Sequence, residues 1–258
     1  HGYRDDRAKP EILLALTEFE TMSGFRPPVE AVALLDALDL PALAPMRAAL
    51  SAGDTGNALR WALHSADADL VAAVAGAAAR VPALAHVVEI ARVYPADAGV
   101  VAALLLNAVT LRPGQAVHVG AGVLHAHLRG TGVELMVNSD NVVRAGLTTK
   151  PVDVAAVLSL VSPEAGPAAV LDGEGGGPLR TYRTPDPEFL LHAVRPGAVL
   201  TGGGPQLLLC TKGNIVLRGA GAEVEVRGGE SVFLPHRAGA VVVAGDGEAF
   251  WATTNPPT

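Results

Sequence analysis

Between Gly120 and Pro151 the chain reads GAGVLHAHLRGTGVELMVNSDNVVRAGLTTKP. It carries two histidines two positions apart, an isolated glutamate, and then Asp140, Arg144 and Lys150, in a chain otherwise rich in Ala, Val, Leu and Gly. Side chains alternate along a strand, so LHAHL puts His125 and His127 on one face. The residues RGTG at 129–132 suit a tight turn, and VELMV is expected to return as the partner strand, bringing Glu134 beside the two imidazoles. Imidazole and carboxylate are donors for zinc or another divalent metal. A His-x-His in a strand is often an ordinary polar face, but the added carboxylate favours a metal site. His125, His127 and Glu134 are one candidate ligand set.

The elements that must hold these groups follow from pattern and punctuation. Residues 11–20 (EILLALTEFE) suit a short strand or a buried helix turn, and GFRPP at 24–28 breaks the chain. From Val29 to about Asn107, apolar residues recur at helical spacing (Val32, Leu35 and Leu38, then Leu59, Leu63, Leu70, Val71 and Val74). Breaks at Pro41, Pro45, Gly53, Pro82 and Pro95 predict four or five helices. Asp54 or Thr55 is a candidate cap for one and Asp67 for another. From Val109 onward, short apolar runs alternate with glycine-rich turns, the pattern of an all-β barrel or jelly roll. DGEGGGP at 172–178 lacks the Gly-Lys-Ser/Thr ending of a phosphate loop and reads as flexible coil between two β units.

Composition narrows the function. The chain has 258 residues, half of them hydrophobic and 17% charged, which describes a globular protein and not a disordered one. A formal charge of −7 argues against a nucleic-acid surface. The single cysteine, Cys210, excludes an internal disulfide framework and suits a reducing cytoplasm; it reads as core. No apolar run is long enough to span a bilayer. Lysine is nearly absent (Lys9, Lys150 and Lys212), so each one retained where arginine is the habit draws notice, because its compact, tunable charge is not replaceable by a guanidinium.

The stretch GQAVHVGAGVLHAHLRGTGVELMVNSDNVVRAGLTTKPVDV closely resembles the signature of type I mannose-6-phosphate isomerases, a cupin-fold zinc family. That pattern runs Ala-x-x-x-His-Ala-Tyr, then Gly-x-x-x-Glu-x-Met, then Ser-Asp-Asn-x-x-Arg-Ala-Gly-Leu-Thr-x-Lys. The beginning agrees: KPEILLALTEFETMSGFRP resembles the family's Lys-Pro-Glu motif and its Phe-Glu-x-x-x-Gly-Phe-Arg segment. The two motifs flank the helical region, as they flank the family's helical domain. The implied architecture is mainly β with an α-helical insert. Residues 1–28 and 108–171 would form the catalytic cupin domain, 29–107 the helical domain, 172–178 the linker, and 179–258 a C-terminal cupin-like domain without a metal.

Carried over, Glu11 and His125 would be zinc ligands. The family's other two ligands, a Gln-x-His pair, lie upstream of Lys-Pro-Glu. This chain has no Gln-x-His, and it begins at His1 in what reads as the middle of a loop, so further sequence is expected upstream. His127 stands where the family has Tyr, and Ala8 precedes Lys9 where His is common. The implied reaction converts mannose 6-phosphate to fructose 6-phosphate through a cis-enediol(ate). Arg144, permanently charged, would stabilise the developing oxyanion. Glu134 and Asp140 would be the proton-handling or orienting carboxylates, unranked by sequence, although Asp140 also suits an SDN turn. Lys9, Lys150 and His127 would bind substrate. The remaining histidines (His64, His86, His118, His192 and His236) lack partners at useful spacing and read as structural or exposed. The resemblance implies Zn²⁺, a small sugar phosphate as partner, no nucleic acid or membrane, a monomer and a cytoplasmic location. Two other classes compete: a bicupin dioxygenase holding Fe(II) with His125, His127 and Glu134, and a non-catalytic sugar-binding cupin.

Overall fold

The structure is a computed structural model that describes residues 7–201 and 204–254. The loop reading of the first residues, 1–6, lies outside them. The chain opens with β1 (Glu11–Ala15) and β2 (Phe19–Phe25), so residues 11–20 hold one strand, a bend at 16–18 and the start of a second strand, and no helix turn. Helices α1 (Pro28–Leu38), α2 (Ala44–Ser51), α3 (Thr55–Ser65), α4 (Ala68–Ala78), α5 (Ala85–Val93) and α6 (Gly99–Ala102) follow. Asp54 caps α3 by accepting from Asn57 N at 2.8 Å, and Asp67 caps α4 by accepting from Leu70 N at 2.9 Å. Each such cap is worth about 1 kcal/mol. Pro45 does not break a helix as expected. It sits in the first turn of α2, where a missing N–H leaves no bond unmade.

The sheet portion resumes with β3 (Leu106–Leu111), β4 (Ala116–Val119), β5 (His125–Arg129) and β6 (Gly132–Met136). Then come α7 (Val154–Leu160) and β7 (Ala169–Leu171). These strands make two sheets, β6-β1-β4-β7 and β3-β2-β5. The second β unit holds β8 (Leu179–Tyr182), β9 (Leu190–Val194), β10 (Val199–Leu200) and β11 (Gln206–Lys212). It continues with β12 (Asn214–Gly219), β13 (Ala222–Arg227), β14 (Ser231–Leu234), β15 (Val241–Gly245) and β16 (Glu248–Thr253). Its sheets run β14-β11-β16-β9-β8 and β10-β15-β12-β13. The architecture is therefore mainly β with a helical part, of cupin-like form.

The expected hairpin of β5 with β6 does not form. β5 pairs with β2 and β6 pairs with β1, in different sheets. Residues 130 and 131 carry the chain from one sheet to the other, so the two strands face each other across the barrel without sharing a ladder.

Alternation then assigns the faces. In β1, Ile12 and Leu14 are buried against Tyr182, Leu191 and Phe250 of the second unit, while Glu11 and Leu13 point the other way. Burying each of these aliphatic side chains contributes roughly 1.5–3 kcal/mol, and here that burial joins the two β units. In sheet β3-β2-β5, Met22 and Ala126 pack on the helical core, which leaves Thr21, Ser23, His125 and His127 for the barrel interior. The stretch 172–178, expected to be loose coil, is pinned by two backbone bonds between Glu174 and Thr181 at 2.7 and 2.8 Å.

Candidate active site

The barrel interior collects most of the residues singled out by spacing. Glu11 comes from β1 and Glu134 from the neighbouring β6, where Leu13 stands opposite Glu134. His125 and His127 come from β5 in the facing sheet. Glu11 Oε1 lies 2.6 Å from His125 Nε2, although the whole helical part separates them in sequence. Glu11 is 8% exposed. His125 Nδ1 is 3.1 Å from Val123 O, so its N–H there donates to that carbonyl and Nε2 faces the carboxylate. Burial opposes charging of His125, but the hydrogen bond to Glu11 and that carboxylate's charge outweigh it and raise the imidazole pKa.

A second imidazole–carboxylate pair lies alongside. His127 Nε2 is 3.2 Å from Glu134 Oε1, and His127 Nδ1 is 2.9 Å from Thr21 Oγ1. The two histidine rings are 5.5 Å apart, and Phe19 packs edge-on against His127. The hydrogen bond from His127 lowers the Glu134 pKa against the opposing effect of burial, with the charges of His127, His125 and Lys9 assisting. The expected closeness of Glu134 to the histidines thus holds, through facing sheets and not through a hairpin. The candidate set of His125, His127 and Glu134 around one ion does not form. Among the described residues no three His, Cys, Asp or Glu side chains are placed to hold a metal. Each histidine is instead turned to its own carboxylate.

Two cavities open on this interior. One of about 490 Å³ is bordered by Lys9, Glu11, His125, Glu134 and Asn141, with α7 closing one side through Val157 and Leu160. The other, of about 350 Å³, shares His125 with the first and is bordered by Arg144, Thr148 and the end of the helical part at Gly99 and Ala102. Arg144 is exposed at that mouth, and among the described residues no carboxylate pairs with it. Asp140 and Lys150 are exposed and border neither cavity. The SDN turn is held by Ser139, whose hydroxyl oxygen accepts from Asn141 N at 3.1 Å.

Sequence reasoning missed Thr21, Ser139, Asn141 and α7. The helix had a signal: Asp153 ahead of VAAVLSL, which in the structure accepts from Ala156 N at 3.0 Å. His118, read as lacking a partner, faces the second β unit and pairs with Asp186 at 2.5 Å.

A mainly β, cupin-like protein with a helical insert, carrying paired imidazole and carboxylate donors inside its first barrel, is the class that fold and site define. No family model matches the chain. It is 31% identical over 258 residues to mannose-6-phosphate isomerase of Escherichia coli (strain K12), covering 95% of this chain and 66% of that protein. It is also 31% identical over 264 residues to mannose-6-phosphate isomerase 1 of Arabidopsis thaliana, covering 90% and 61%. Among solved structures, a zinc-bound mannose 6-phosphate isomerase superposes with a TM-score of 0.88 at 28% identity, over 99% of this chain and 68% of that one. A variant of phosphomannose isomerase from Salmonella typhimurium gives a TM-score of 0.90 at 28% identity, covering 98% and 68%. The chain belongs to the mannose-6-phosphate isomerase family. It spans slightly less than two thirds of the length of the two sequence relatives. No helix among the described residues is long and apolar enough to cross a membrane.

Proposed function

We propose that the site interconverts mannose 6-phosphate and fructose 6-phosphate through a cis-enediol(ate), with Zn²⁺ as cofactor. The observation that carries this reading is the contact of Glu11 with His125 at 2.6 Å on the wall of a cavity large enough for a sugar phosphate. It joins the two sequence motifs that the family keeps apart. The isomerase names of the relatives, and the zinc in one similar solved structure, support it.

The donor chemistry fits zinc: one carboxylate and one imidazole whose far nitrogen is engaged by a backbone carbonyl, the usual way a ligating histidine is oriented. Glu11 and His125 would hold the ion as two of its ligands. Bound there, zinc supplies Lewis-acid polarisation of a substrate oxygen. The protein's own groups do the rest. Glu134, kept as a carboxylate by its hydrogen bond to His127, takes the proton from C2 and returns it at C1. His127, which stands where the family has Tyr and borders neither cavity, is fixed by Thr21 and orients that carboxylate. Arg144 stabilises the oxyanion as it develops. Lys9, bordering the cavity, binds the phosphate, and Lys150, which borders neither cavity, ranks below it for that role. Asp140 ranks below Glu134 as the base because it borders neither cavity. The protein acts as a monomer in the cytoplasm.

The test pairs elemental analysis with a coupled assay for fructose 6-phosphate. Zinc with product formation supports the reading. Iron with oxygen consumption favours a dioxygenase, and sugar binding without turnover favours a non-catalytic cupin.

A further inference from the structure

We propose that Asp97, in the turn between α5 and α6, is the positioning residue that holds Arg144 at the site. This rests on the reading above only in that Arg144 acts on the substrate. The problem it answers is mechanical. Arg144 is exposed, and among the described residues no carboxylate holds its guanidinium, so its place must be set through its backbone. Val143 and Ala145 on either side pack against the helical core, which fixes the segment on one flank.

Asp97 fixes the other. Its Oδ1 accepts from Gly99 N at 2.7 Å and its Oδ2 accepts from Thr148 N at 3.4 Å. One carboxylate thus ties the helical part to the segment that carries Arg144. The two backbones it joins are in contact. A Cβ on Gly146 would lie 2.6 Å from Asp97 Oδ1 and 2.9 Å from Gly99 Cα, and a Cβ on Gly99 would lie 3.0 Å from Leu147 N. Gly146 also has φ 147°, and Leu147 next to it has φ 54° in the left-handed region, which a side-chain-bearing residue keeps only where its surroundings enforce it. The glycines of this seam and the Asp97 carboxylate form one clamp, which comes within two residues of Arg144 at Gly146. A displacement of about 1 Å in a catalytic group lowers rate by up to about 100-fold, so a clamp of this kind has a kinetic signature.

The competing role is a plain cap on α6, which would affect stability alone. Asp97→Ala and Asp97→Asn in the whole chain, each alone and with Arg144→Ala, separate the two. With the clamp, Asp97→Ala raises amide exchange by roughly 10-fold or more at 144–148, Thr148 above all, and leaves β1, β2 and β5 protected. It lowers kcat on the order of 10- to 100-fold at unchanged zinc content, and the double variant is no slower than Arg144→Ala. Asp97→Asn, which keeps one acceptor oxygen, recovers part of the rate. Unchanged exchange at 144–148 overturns the proposal. So do losses that multiply in the double variant, because Asp97 would then act apart from Arg144. A wild-type chain that turns over no sugar phosphate would instead sink the isomerase reading, and the exchange measurement would then decide alone whether Asp97 holds the segment.

Discussion

Replacing Glu134 by Gln separates a base from a structural ion pair. The amide keeps the volume of the carboxylate and can still meet His127 Nε2, which lies 3.2 Å from Oε1. The side chains of this pair are 25% and 34% exposed, so their attraction is screened. A pair of that kind contributes at most about 1 kcal/mol to stability. A general base in the reaction contributes about 10²- to 10⁴-fold, or roughly 3–5 kcal/mol of transition-state stabilisation. Glu134→Gln should therefore lower kcat by at least about 100-fold while shifting the unfolding free energy by less than about 1 kcal/mol. Steady-state kinetics in the direction of fructose 6-phosphate and urea denaturation on the same preparation measure both. A stability loss above about 2 kcal/mol with kcat intact would refute the assignment and make Glu134 a support for His127.

Three further outcomes follow from other parts of the molecule. His192 is buried, stacked on Trp251, and desolvation lowers its pKa to about 4. Because the unfolded chain binds the proton first, stability from this group is complete above about pH 6.5 and is lost as pH falls towards 4, by roughly 3 kcal/mol; His192→Gln should flatten that slope in pH-dependent denaturation, and an unchanged slope would remove His192 as its source. Leu14→Ala, in the core shared by the two β units, should cost about 2–5 kcal/mol in unfolding free energy, and a loss under about 1 kcal/mol would mean the units do not depend on that contact. Zinc titration of this 258-residue chain should give weak binding, because structural and catalytic zinc sites take three or four protein ligands and, among the described residues, Glu11 with His125 supply two. His127→Tyr should leave that affinity unchanged, since His127 is engaged by Glu134 and Thr21; a fall would make His127 a ligand.

Much of this arrangement is legible in the sequence. Proline, glycine and capping aspartates marked the helical part, and Asp54 and Asp67 cap where their positions suggested. The alternation of LHAHL placed His125 and His127 on one face, and the separated Lys-Pro-Glu and His-Ala-His motifs meet as the family resemblance implied they would. Strand pairing was not legible. Alternation fixes which face a side chain takes, but not which strand lies alongside, so the short link at 130–131 looked like a hairpin turn when it joins two sheets. Groups that act by holding another residue in place were also hidden. Thr21, Ser139 and Asp97 are ordinary residues in sequence, and their roles come only from what the fold brings within hydrogen-bond reach.

The most direct test of the site is formation of fructose 6-phosphate from mannose 6-phosphate with zinc in excess, comparing the protein with its Arg144→Ala variant. The account predicts zinc-dependent product, a rate lower by on the order of 100-fold in the variant, and the same zinc content in both. Equal rates in the two proteins, or no product from the unmodified protein at any zinc concentration, would contradict it.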